Sequence, residues 1–191
     1  MYTLFIDTHY KDILIILYKD SSLLDKKHIK DVKSTSVNTM PAIIDLIDKN
    51  NLQIKDINKI AIVIGPGSFT SVRLGVTIAK TLAYTLNIPI TTLTSIDLVG
   101  LNITKPSYVS VPENNGAFIC FYEKDKENKI EYMKKSMYEE FKSNNNVIEE
   151  NNISLDYDKL IEFINNLKEE NQFNVNPLYI KTIGVQDDKK D

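Results

Sequence analysis

The stretch GPGSFTSVRLG, at residues 65–75, decides the fold because it joins a buried strand to a long helix. It follows the run IAIVI at residues 60–64, whose β-branched side chains are typical of a buried strand. The glycines and proline at 65–67 predict a tight turn, and Ser68 or Thr70 can cap a helix that continues to about Leu86. A glycine turn at the start of a helix is also typical of phosphate-binding loops, so its role affects the predicted function.

The turn lacks the residues that phosphate-binding motifs require. A Walker loop needs Gly-Lys-Ser/Thr, and the first lysine after the turn is Lys80. A dinucleotide-binding fingerprint needs a third glycine at the position of Thr70. We therefore predict a structural turn, formed by Gly65, Pro66, Gly67, Ser68 and Thr70.

The helix after the turn is apolar around more than half of its circumference. One stripe at helical spacing contains Phe69, Val72, Val76, Ala79, Ala83 and Leu86. A second stripe, on the opposite side, contains Leu74, Ile78 and Leu82. One face can cover the chain's own sheet, and the other needs either the neighbouring helix or a second protein chain. Geometry alone leaves both alternatives open.

The helix predicted at residues 39–49 is also broad on its apolar side. Two neighbouring helices with more apolar surface than a single cover requires favour a helical interface. The predicted partner-binding residues come from both helices and are Met40, Ile43, Ile44, Ile47, Val72, Gly75, Val76, Ala79 and Ala83.

The order of predicted elements indicates an α/β fold. The first half contains, in order, strands at 2–6, 13–18 and 23–32, a helix at 39–49, a strand at 60–64, a helix at 69–86, a strand at 90–93 and a helix at 95–101. The first helix either begins near Thr39 with Pro41 in its first turn, or begins near Ser34 and is kinked by Pro41. A meander followed by β-α-β units is the order of ribonuclease-H-like and actin-like ATPase lobes.

A second, smaller lobe is predicted after Lys105 and Pro106. It contains strands at 108–111, 117–122 and 130–137, a loop at 143–152, a helix from about 156 and a strand at 177–183. The predicted domains are therefore an N-terminal lobe at 1–104, a C-terminal lobe at 105–186 and a solvated tail at 187–191.

Candidate catalytic groups are few. Asp7 ends the first strand, where ribonuclease-H-like nucleases place a metal-binding carboxylate and actin-like ATPases place a phosphate-loop aspartate. The stretch at 112–117 lacks the aspartate of a second phosphate loop, and the two histidines, His9 and His28, form no metal-binding pair. We predict no catalytic residue, no metal site and no cofactor, and we keep as the alternative an ATP- or metal-dependent enzyme that uses Asp7 and the 65–70 turn.

Composition narrows the class of protein further. The net charge of -3 gives no general case for binding nucleic acid, and 42% hydrophobic residues are ordinary for a globular protein. The single cysteine, Cys120, lies in an apolar run and indicates a buried thiol in a reducing compartment. The chain shows no signal-peptide pattern and no apolar run of about 20 residues, so we predict a cytoplasmic protein that does not enter membranes.

Several segments of the first half resemble one bacterial family. The run GPGSFTSVRLGVTIAK at 65–80 resembles the signature of the TsaB (YeaZ) family, and the similarity continues through NIPI at 87–90 and LTSID at 93–97. LFIDT at 4–8 and MPAII at 40–44 look like that family's first strand and first helix. The resemblance covers residues 3 to about 99, whereas NGAF at 115–118 and PLYI at 177–180 match the second half only in outline.

The resemblance implies a fold and a role. The fold would be actin-like, of the ASKHA and ribonuclease-H-like class, with two lobes, a decayed ATPase site and a reduced second lobe. The protein would be a non-catalytic partner of the related transferase TsaD. With the ATPase TsaE, that pair installs threonylcarbamoyl on the adenosine next to the anticodon of tRNAs that read ANN codons.

The resemblance also implies how the subunits meet. Members of the family form homodimers when alone and pair with TsaD through their first two helices, which correspond here to residues 39–49 and 69–86. tRNA would be reached indirectly through the complex, and ATP or ADP would bind only at the joint with partner subunits. The chain departs from the family pattern at Thr35-Ser36, Ser71 and residues 112–115. These departures leave the interface prediction unchanged.

Overall fold

A five-stranded sheet is built by the first half of the chain. Its strands are β1 (Tyr2–Asp7), β2 (Ile13–Lys19), β3 (Ser22–Ile29), β4 (Ile57–Val63) and β5 (Ile90–Leu93). The first three form an antiparallel meander, and β4 pairs in parallel with β1 and β5, which gives the order β3-β2-β1-β4-β5. The computed structural model describes residues 1–124, 126, 128–152 and 154–180, without the side chain of Asn152.

Helices cover both faces of this sheet. The α-helices of the described residues are α1 (Thr35–Lys49), α2 (Phe69–Leu86), α3 (Ser95–Gly100), α4 (Lys135–Asn144) and α5 (Tyr157–Asn166). Because successive side chains of a strand point to opposite faces, Leu4 and Ile6 of β1 pack with α1 and α2, whereas Phe5 packs with α5. The first sheet is therefore buried on both sides.

A four-stranded sheet follows. Its strands are β6 (Ser107–Glu113), β7 (Gly116–Tyr122), β8 (Glu131–Lys134) and β9 (Val147–Glu149), in the order β8-β7-β6-β9. Ile96 and Val99 of α3 pack on one face of this sheet, and Tyr138 of α4 packs on the other. The chain is thus an α/β protein with two sheets, of which the second is the smaller.

The prediction of the first half is confirmed element by element, and one alternative is settled. α1 begins at Thr35, which is the longer of the two predicted helices, and Pro41 lies inside it. α2 has the predicted bounds. The strand and helix patterns of this half were readable because its apolar residues form continuous runs in the buried strands and recur at helical spacing in α1 and α2.

The prediction of the second half is wrong in three places. Residues 135–144 form α4, because Tyr138 and Phe141, one turn apart, pack in the cluster that covers β7. Residues 147–149, predicted as loop, form β9 and pair with β6. Residues 177–180 form no strand: Pro177 has no amide proton, and the amide of Leu178 donates a single bond of 2.8 Å to the carbonyl of Ile64. Residues 181–183 and the predicted tail at 187–191 lie outside the described residues.

The chain returns to the first sheet after the second. Leu160, Ile161 and Ile164 of α5 join the cluster with β1, β2 and β4, and Val175 joins the cluster under α1 and α2. The boundary near residue 104 stays a prediction. The contacts show that residues 157–180, placed in the second lobe by sequence, pack on the sheet of the first.

The sequence also predicted that the thiol of Cys120 is buried. Cys120 is 2% exposed, and burial, aided by the nearby charge of Asp97, raises the pKa of its thiol to about 11. This thiol therefore stays protonated and packs as a small apolar side chain at neutral pH.

In the described part of the chain, no helix has the length and apolarity that a membrane crossing requires.

Candidate functional site

The turn at 65–68 is held by its own backbone. The carbonyl of Gly65 accepts a 2.9 Å bond from the amide of Ser95, and the carbonyl of Pro66 accepts a 2.7 Å bond from the Ser95 hydroxyl. The amide of Ser68 donates a 2.7 Å bond to the carbonyl of His9. A Cβ atom on Gly67 would lie 2.1 Å from that same carbonyl, so only glycine allows this approach. An amide that is already bonded to the chain is not available to a phosphate.

The predicted cap of α2 is wrong. Ser68 occupies the N-cap position, but its side chain makes no capping bond, and Thr70 lies inside the helix. The Ser68 hydroxyl instead bonds to the Ser71 hydroxyl at 3.2 Å, and Ser71 lies 3.0 Å from the hydroxyl of Thr35. These hydroxyls connect the first turn of α2 to the first turn of α1.

Most of the predicted partner-binding residues lie in the core of this chain. The buried members of that set are Ile43, Ile47, Val72, Gly75, Val76, Ala79 and Ala83. A Cβ atom on Gly75 would lie 2.3 Å from the hydroxyl oxygen of Thr8, so this glycine lets α2 approach the end of β1. The small residues of α2 therefore serve close packing on the sheet, and the sequence analysis assigned the wrong face of the helix to the outside. Whether any of them contributes to partner binding stays a prediction.

The outward side of α1 and α2 carries a different set of apolar residues. On α1, Ile44 is 50% exposed, Val37 is 67% exposed and Met40 is half-buried. On α2, the second stripe of the sequence, Leu74, Ile78 and Leu82, is half-buried. The name outer helix surface is used below for Val37, Met40, Ile44, Leu74, Ile78 and Leu82. Met40 and Ile44 are the two members that the sequence analysis had assigned to the partner.

A buried histidine lies between two carboxylates where the two sheets meet. His9 is 5% exposed, and its Nδ1 atom lies 2.6 Å from Oδ1 of Asp7. Its Nε2 atom lies 2.8 Å from Oε1 of Glu150, in the short 3₁₀ turn at 150–152 that follows β9. Burial lowers the pKa of His9, but the carboxylates of Asp7 and Glu150 raise it by more, so its pKa lies well above the ordinary value. A charged His9 bridges the two acids.

Sequence reasoning missed this ionic cluster. The sequence places His9 in the turn after the first strand and gives it no metal-binding or catalytic partner, and Glu150 lies in a segment predicted as loop. The two residues are 141 positions apart, and no local pattern signals their contact. The cluster lines a cavity of about 350 Å³ together with Tyr10, Asp12, His28 and Lys30.

The geometry bears on the alternative of an ATP- or metal-dependent enzyme. The Oδ1 atom of Asp7 also accepts a 3.0 Å bond from the amide of His9, so His9 engages this carboxylate twice. Within the described ranges, no group of three or more His, Cys, Asp or Glu side chains is arranged to hold a metal ion. In this arrangement Oδ1 of Asp7 is bonded to His9, and the Ser68 amide is bonded to the carbonyl of His9.

A second cavity, of about 750 Å³, opens at the first turns of α1 and α2. Hydroxyl groups of both helices line it, among them Ser36 and Thr70, together with Lys11, Lys33 and the β6–β7 turn at 113–115. This cavity lies at the edge of the outer helix surface, because Leu74 lines it too.

Comparison with known proteins identifies the family. The sequence model described as TsaD: tRNA N6-adenosine threonylcarbamoyltransferase matches residues 31–165, which is more than half of the chain. The chain belongs to this family.

Curated relatives of this TsaD-family chain include TsaB. The "tRNA threonylcarbamoyladenosine biosynthesis protein TsaB" of Bacillus subtilis (strain 168) is 37% identical over 102 residues, which cover 53% of this chain and 44% of that protein. The "tRNA N6-adenosine threonylcarbamoyltransferase" of Clostridioides difficile (strain 630) is 43% identical over 58 residues, which cover 30% of this chain and 15% of that protein. The matched segments thus span less than half the length of each relative. The resemblance to the TsaB family is confirmed.

Solved structures confirm the fold. YeaZ from Pseudomonas aeruginosa superimposes with a TM-score of 0.72 at 13% identity, and the match covers 93% of this chain and 99% of that chain. A crystal structure described as an uncharacterized protein with similarity to peptidase YeaZ from the same organism gives a TM-score of 0.73, also at 13% identity, over 94% and 99% of the chains. The predicted α/β fold of this class, with its smaller second sheet, is therefore present.

Proposed function

We propose that this protein is a non-catalytic subunit in tRNA threonylcarbamoyladenosine biosynthesis, which binds and activates a TsaD-like transferase. One observation carries the proposal: a chain related to TsaB has an apolar outer helix surface on two adjacent helices, exposed at Val37 and Ile44 of α1 and half-buried on α2. The family relationship supports the pathway, and the exposed surface supports the binding role.

The form of the surface suits a helical partner. Val37, Met40 and Ile44 recur at i, i+3 and i+7 on α1, and Leu74, Ile78 and Leu82 recur at i, i+4 and i+8 on α2. Two such stripes on packed helices form a groove that accepts the ridge of a third helix. The inner faces of α1 and α2 already cover the sheet, so the partner would add helices to the outside of the same layer.

We propose that this chain has no catalytic site of its own, and we base this part of the proposal on the ionic cluster of Asp7, His9 and Glu150. Asp7 is the carboxylate that an active member of an actin-like fold would use, and here it contacts His9 at 2.6 Å. We infer that the modification of the adenosine next to the anticodon of ANN-reading tRNAs takes place on the TsaD-like partner. In the same proposal, a TsaE-like ATPase joins the complex, and ATP or ADP binds only where subunits meet.

In the absence of the partner, two copies of the protein would bind each other through the outer helix surface. Burying the outer helix surface against a second copy would form a homodimer, and the TsaD-like partner would compete with it. We expect a dimer by multi-angle light scattering when the protein is alone and a heterocomplex when the partner is in excess. A free chain that is monomeric, with a partner that still binds, would remove the homodimer from the proposal and leave the subunit role.

The test is co-purification with the TsaD-like protein of the same organism, followed by an assay of modified adenosine in tRNA. Ile44→Asp places a charge in the outer helix surface without touching the core, and we expect at least about 30-fold weaker binding. Val37→Asp is a second variant of the same design. Met137→Asp is the matched control, because Met137 is 60% exposed on α4, on the second sheet. Normal binding and normal modification by both outer-surface variants would refute the proposed interface.

The enzyme alternative has its own test. If calorimetry on the isolated protein detected tight binding of ATP and magnesium, and Asp7→Ala removed it, the non-catalytic role would be wrong. We expect no such binding, because the geometry keeps Asp7 on His9.

A further inference from the structure

The flank of α2 that faces away from α1 carries most of the exposed aromatic rings. Among the described residues, the aromatic side chains that are exposed are Phe69, Tyr84, Phe121, Phe173 and Tyr179. All of them except Phe121 lie on this flank, in two contacts between α2 and the segment at 171–180. Phe69 contacts Tyr179 with ring centroids 5.3 Å apart, and Tyr84 contacts Phe173 at 5.5 Å.

The segment at 171–180 is fixed to the sheet and to α2. The amide of Glu170 donates to the carbonyl of Ile90 at 2.8 Å, and Leu178 reaches Ile64 as described above. Val175 is 1% exposed in the core, and its carbonyl accepts a 2.6 Å bond from the ammonium group of Lys80. The exposed rings are thus presented on a backbone that is anchored at several points. The name aromatic flank is used below for Phe69, Arg73, Tyr84, Phe173 and Tyr179.

Arg73 lies at one end of the aromatic flank and is the only arginine of the chain. Its guanidinium carbon lies 3.9 Å from the centroid of the Phe69 ring. Its Nε atom donates a 2.7 Å hydrogen bond to the hydroxyl of Tyr179. The ring and the hydroxyl together fix the plane of the guanidinium group, which otherwise rotates freely on a long stem.

The two terminal nitrogens of Arg73 bond to no group within the described residues. The residue is exposed, and with the described part of the chain it forms no ion pair and no hydrogen bond other than the one to Tyr179. A guanidinium group whose plane is fixed in advance fits a carboxylate through two parallel hydrogen bonds from its planar fork.

The charge around Arg73 suits an anionic partner. The chain has 26 acidic residues, yet none occurs between Asp56 and Asp97, and none occurs at 171–180. The two segments that form the aromatic flank therefore contribute no carboxylate of their own, in a protein whose net charge is -3; the acids nearest in sequence to the 171–180 segment within the described residues are Glu169 and Glu170. An acidic segment of another molecule that reaches Arg73 would meet no carboxylate from these two segments.

We propose that Arg73, held by Phe69 and Tyr179, binds a carboxylate of a partner protein, and that the acidic segment carrying it packs along the aromatic flank. The inference rests on the proposed function in one respect, because the partner used to test it is the TsaD-like transferase. It adds a second contact region, on the opposite side of α2 from α1, and it assigns the specificity of that region to one residue.

A protein partner is favoured over RNA by the composition of the flank. RNA binding needs several cations to contact successive phosphates. Among the described residues, Arg73 is the one cation of the aromatic flank, and the ammonium group of Lys80 on the same helix already bonds to the carbonyl of Val175. Aromatic residues around an arginine are typical of the energetic centre of a protein–protein interface. RNA therefore enters the experiment as an outcome that would overturn the proposal.

The experiment is a binding titration of the full chain against the TsaD-like protein, by calorimetry, at two salt concentrations. We expect about 30-fold weaker binding for Arg73→Gln and about tenfold weaker binding for Arg73→Lys, since lysine keeps the charge and loses the planar fork. Tyr179→Phe removes only the hydroxyl that orients Arg73, and we expect about a threefold loss. The affinity of the unmodified chain should fall with salt more steeply than that of Arg73→Gln.

Controls separate this site from the outer helix surface. Lys55→Gln removes one exposed charge on the short 3₁₀ helix at 54–56, which is not part of the aromatic flank, and we expect binding within about twofold of the unmodified chain. Circular dichroism should show all variants folded, because Arg73 is exposed. If Ile44→Asp loses binding and both Arg73 variants bind normally, the inference is wrong and the proposed function stands. If the unmodified chain does not bind the TsaD-like protein, both are wrong.

Two other occupants would also overturn the inference. In the first case, Arg73→Gln would keep partner binding and lose binding of an unmodified tRNA transcript. In the second case, the chain's own tail would fill the site. Replacing Asp187, Asp188 and Asp191 by asparagine in the full chain would then strengthen partner binding, and only while Arg73 is present.

Discussion

Two helices, α2 and α5, cover opposite faces of the same sheet, and they differ in the residues on their solvent-facing sides. The buried sides are alike: Val76 and Ala79 pack under α2, and Ile161 and Ile164 pack under α5. The outer side of α5 carries polar residues such as Glu162, Asn165 and Asn166, whereas the outer side of α2 keeps leucine, isoleucine, aromatic rings and no acid. α5 shows that covering this sheet needs only one apolar face. On the other apolar face of α2, Ile78 and Leu82 pack in part against the core cluster of α1 and α2, and we propose that the remaining outer part of this face binds a partner.

The largest effect should come from the inner faces, where the two helices are equivalent. We expect Val76→Asp on α2 and Ile161→Asp on α5 each to lower the free energy of unfolding by about 4 kcal/mol, because each buries an unpaired charge. Urea denaturation followed by circular dichroism measures both. A variant Val76→Asp that is as stable as the unmodified chain would show that the inner face of α2 is not part of the core, and the comparison of the two helices would fail.

A smaller loss in the free energy of unfolding should follow from removing the ion pairs of His9, which hold the segment before α5 to the first sheet. His9 connects Asp7 of the first sheet to Glu150, which precedes α5, while α2 forms no such ionic contact with any residue that the structure describes. Replacing His9 by glutamine leaves two carboxylates without their cation, and we expect a loss of about 3 kcal/mol in the free energy of unfolding at pH 6.

The pH dependence of that loss follows from the direction of the shift. The pKa of His9 is raised in the folded state, so its stabilising contribution is complete below the unfolded pKa of about 6.5 and is lost as pH rises through the folded pKa. The difference between the unmodified chain and His9→Gln should therefore shrink at alkaline pH. His28→Gln is the control, since the exposed pair of His28 and Asp12 is worth about 0.5 kcal/mol. A difference that grows with pH would contradict a charged His9.

The smallest effect concerns the lysines on the outer sides of the helices. Lys80 on α2 donates to the carbonyl of Val175, whereas Lys159 on α5 lies 3.8 Å from Asp156 in an exposed ion pair. We expect Lys80→Met to cost about 1 kcal/mol in the free energy of unfolding and Lys159→Met at most a few tenths. Equal costs would mean that the segment at 171–180 is not anchored to α2 through Lys80.

The same two helices show how far a sequence can be interpreted. The bounds of α2 follow from the spacing of its apolar residues, and the clean face of α5 was equally readable. The direction in which each face of α2 points did not follow, because both of its stripes are apolar and periodicity cannot tell the sheet from solvent. The small residues Gly75, Ala79 and Ala83 looked suited to a partner helix, and in the fold they let α2 approach the sheet.

The second half was harder to predict for a related reason. α4 has Tyr138 as its one buried residue, so it offers little periodicity, and its helical form depends on packing against β7. The contacts of Tyr179 with Phe69 and Arg73, and of His9 with Glu150, join residues more than 100 positions apart. A sequence window does not reach across such distances.

By itself, the sequence determined the α/β class, the turn at 65–67, the helix that follows it and the resemblance to the TsaB family. Each of these depends on interactions between neighbours along the chain: the glycine and proline geometry, the period of apolar residues and the motif itself. Only the tertiary structure decided which face of that helix is buried, that His9 lies between Asp7 and Glu150, and that Arg73 rests on Phe69 and Tyr179. These features depend on burial and on partners that the fold brings together, and the free energy of such contacts exists only once distant segments pack.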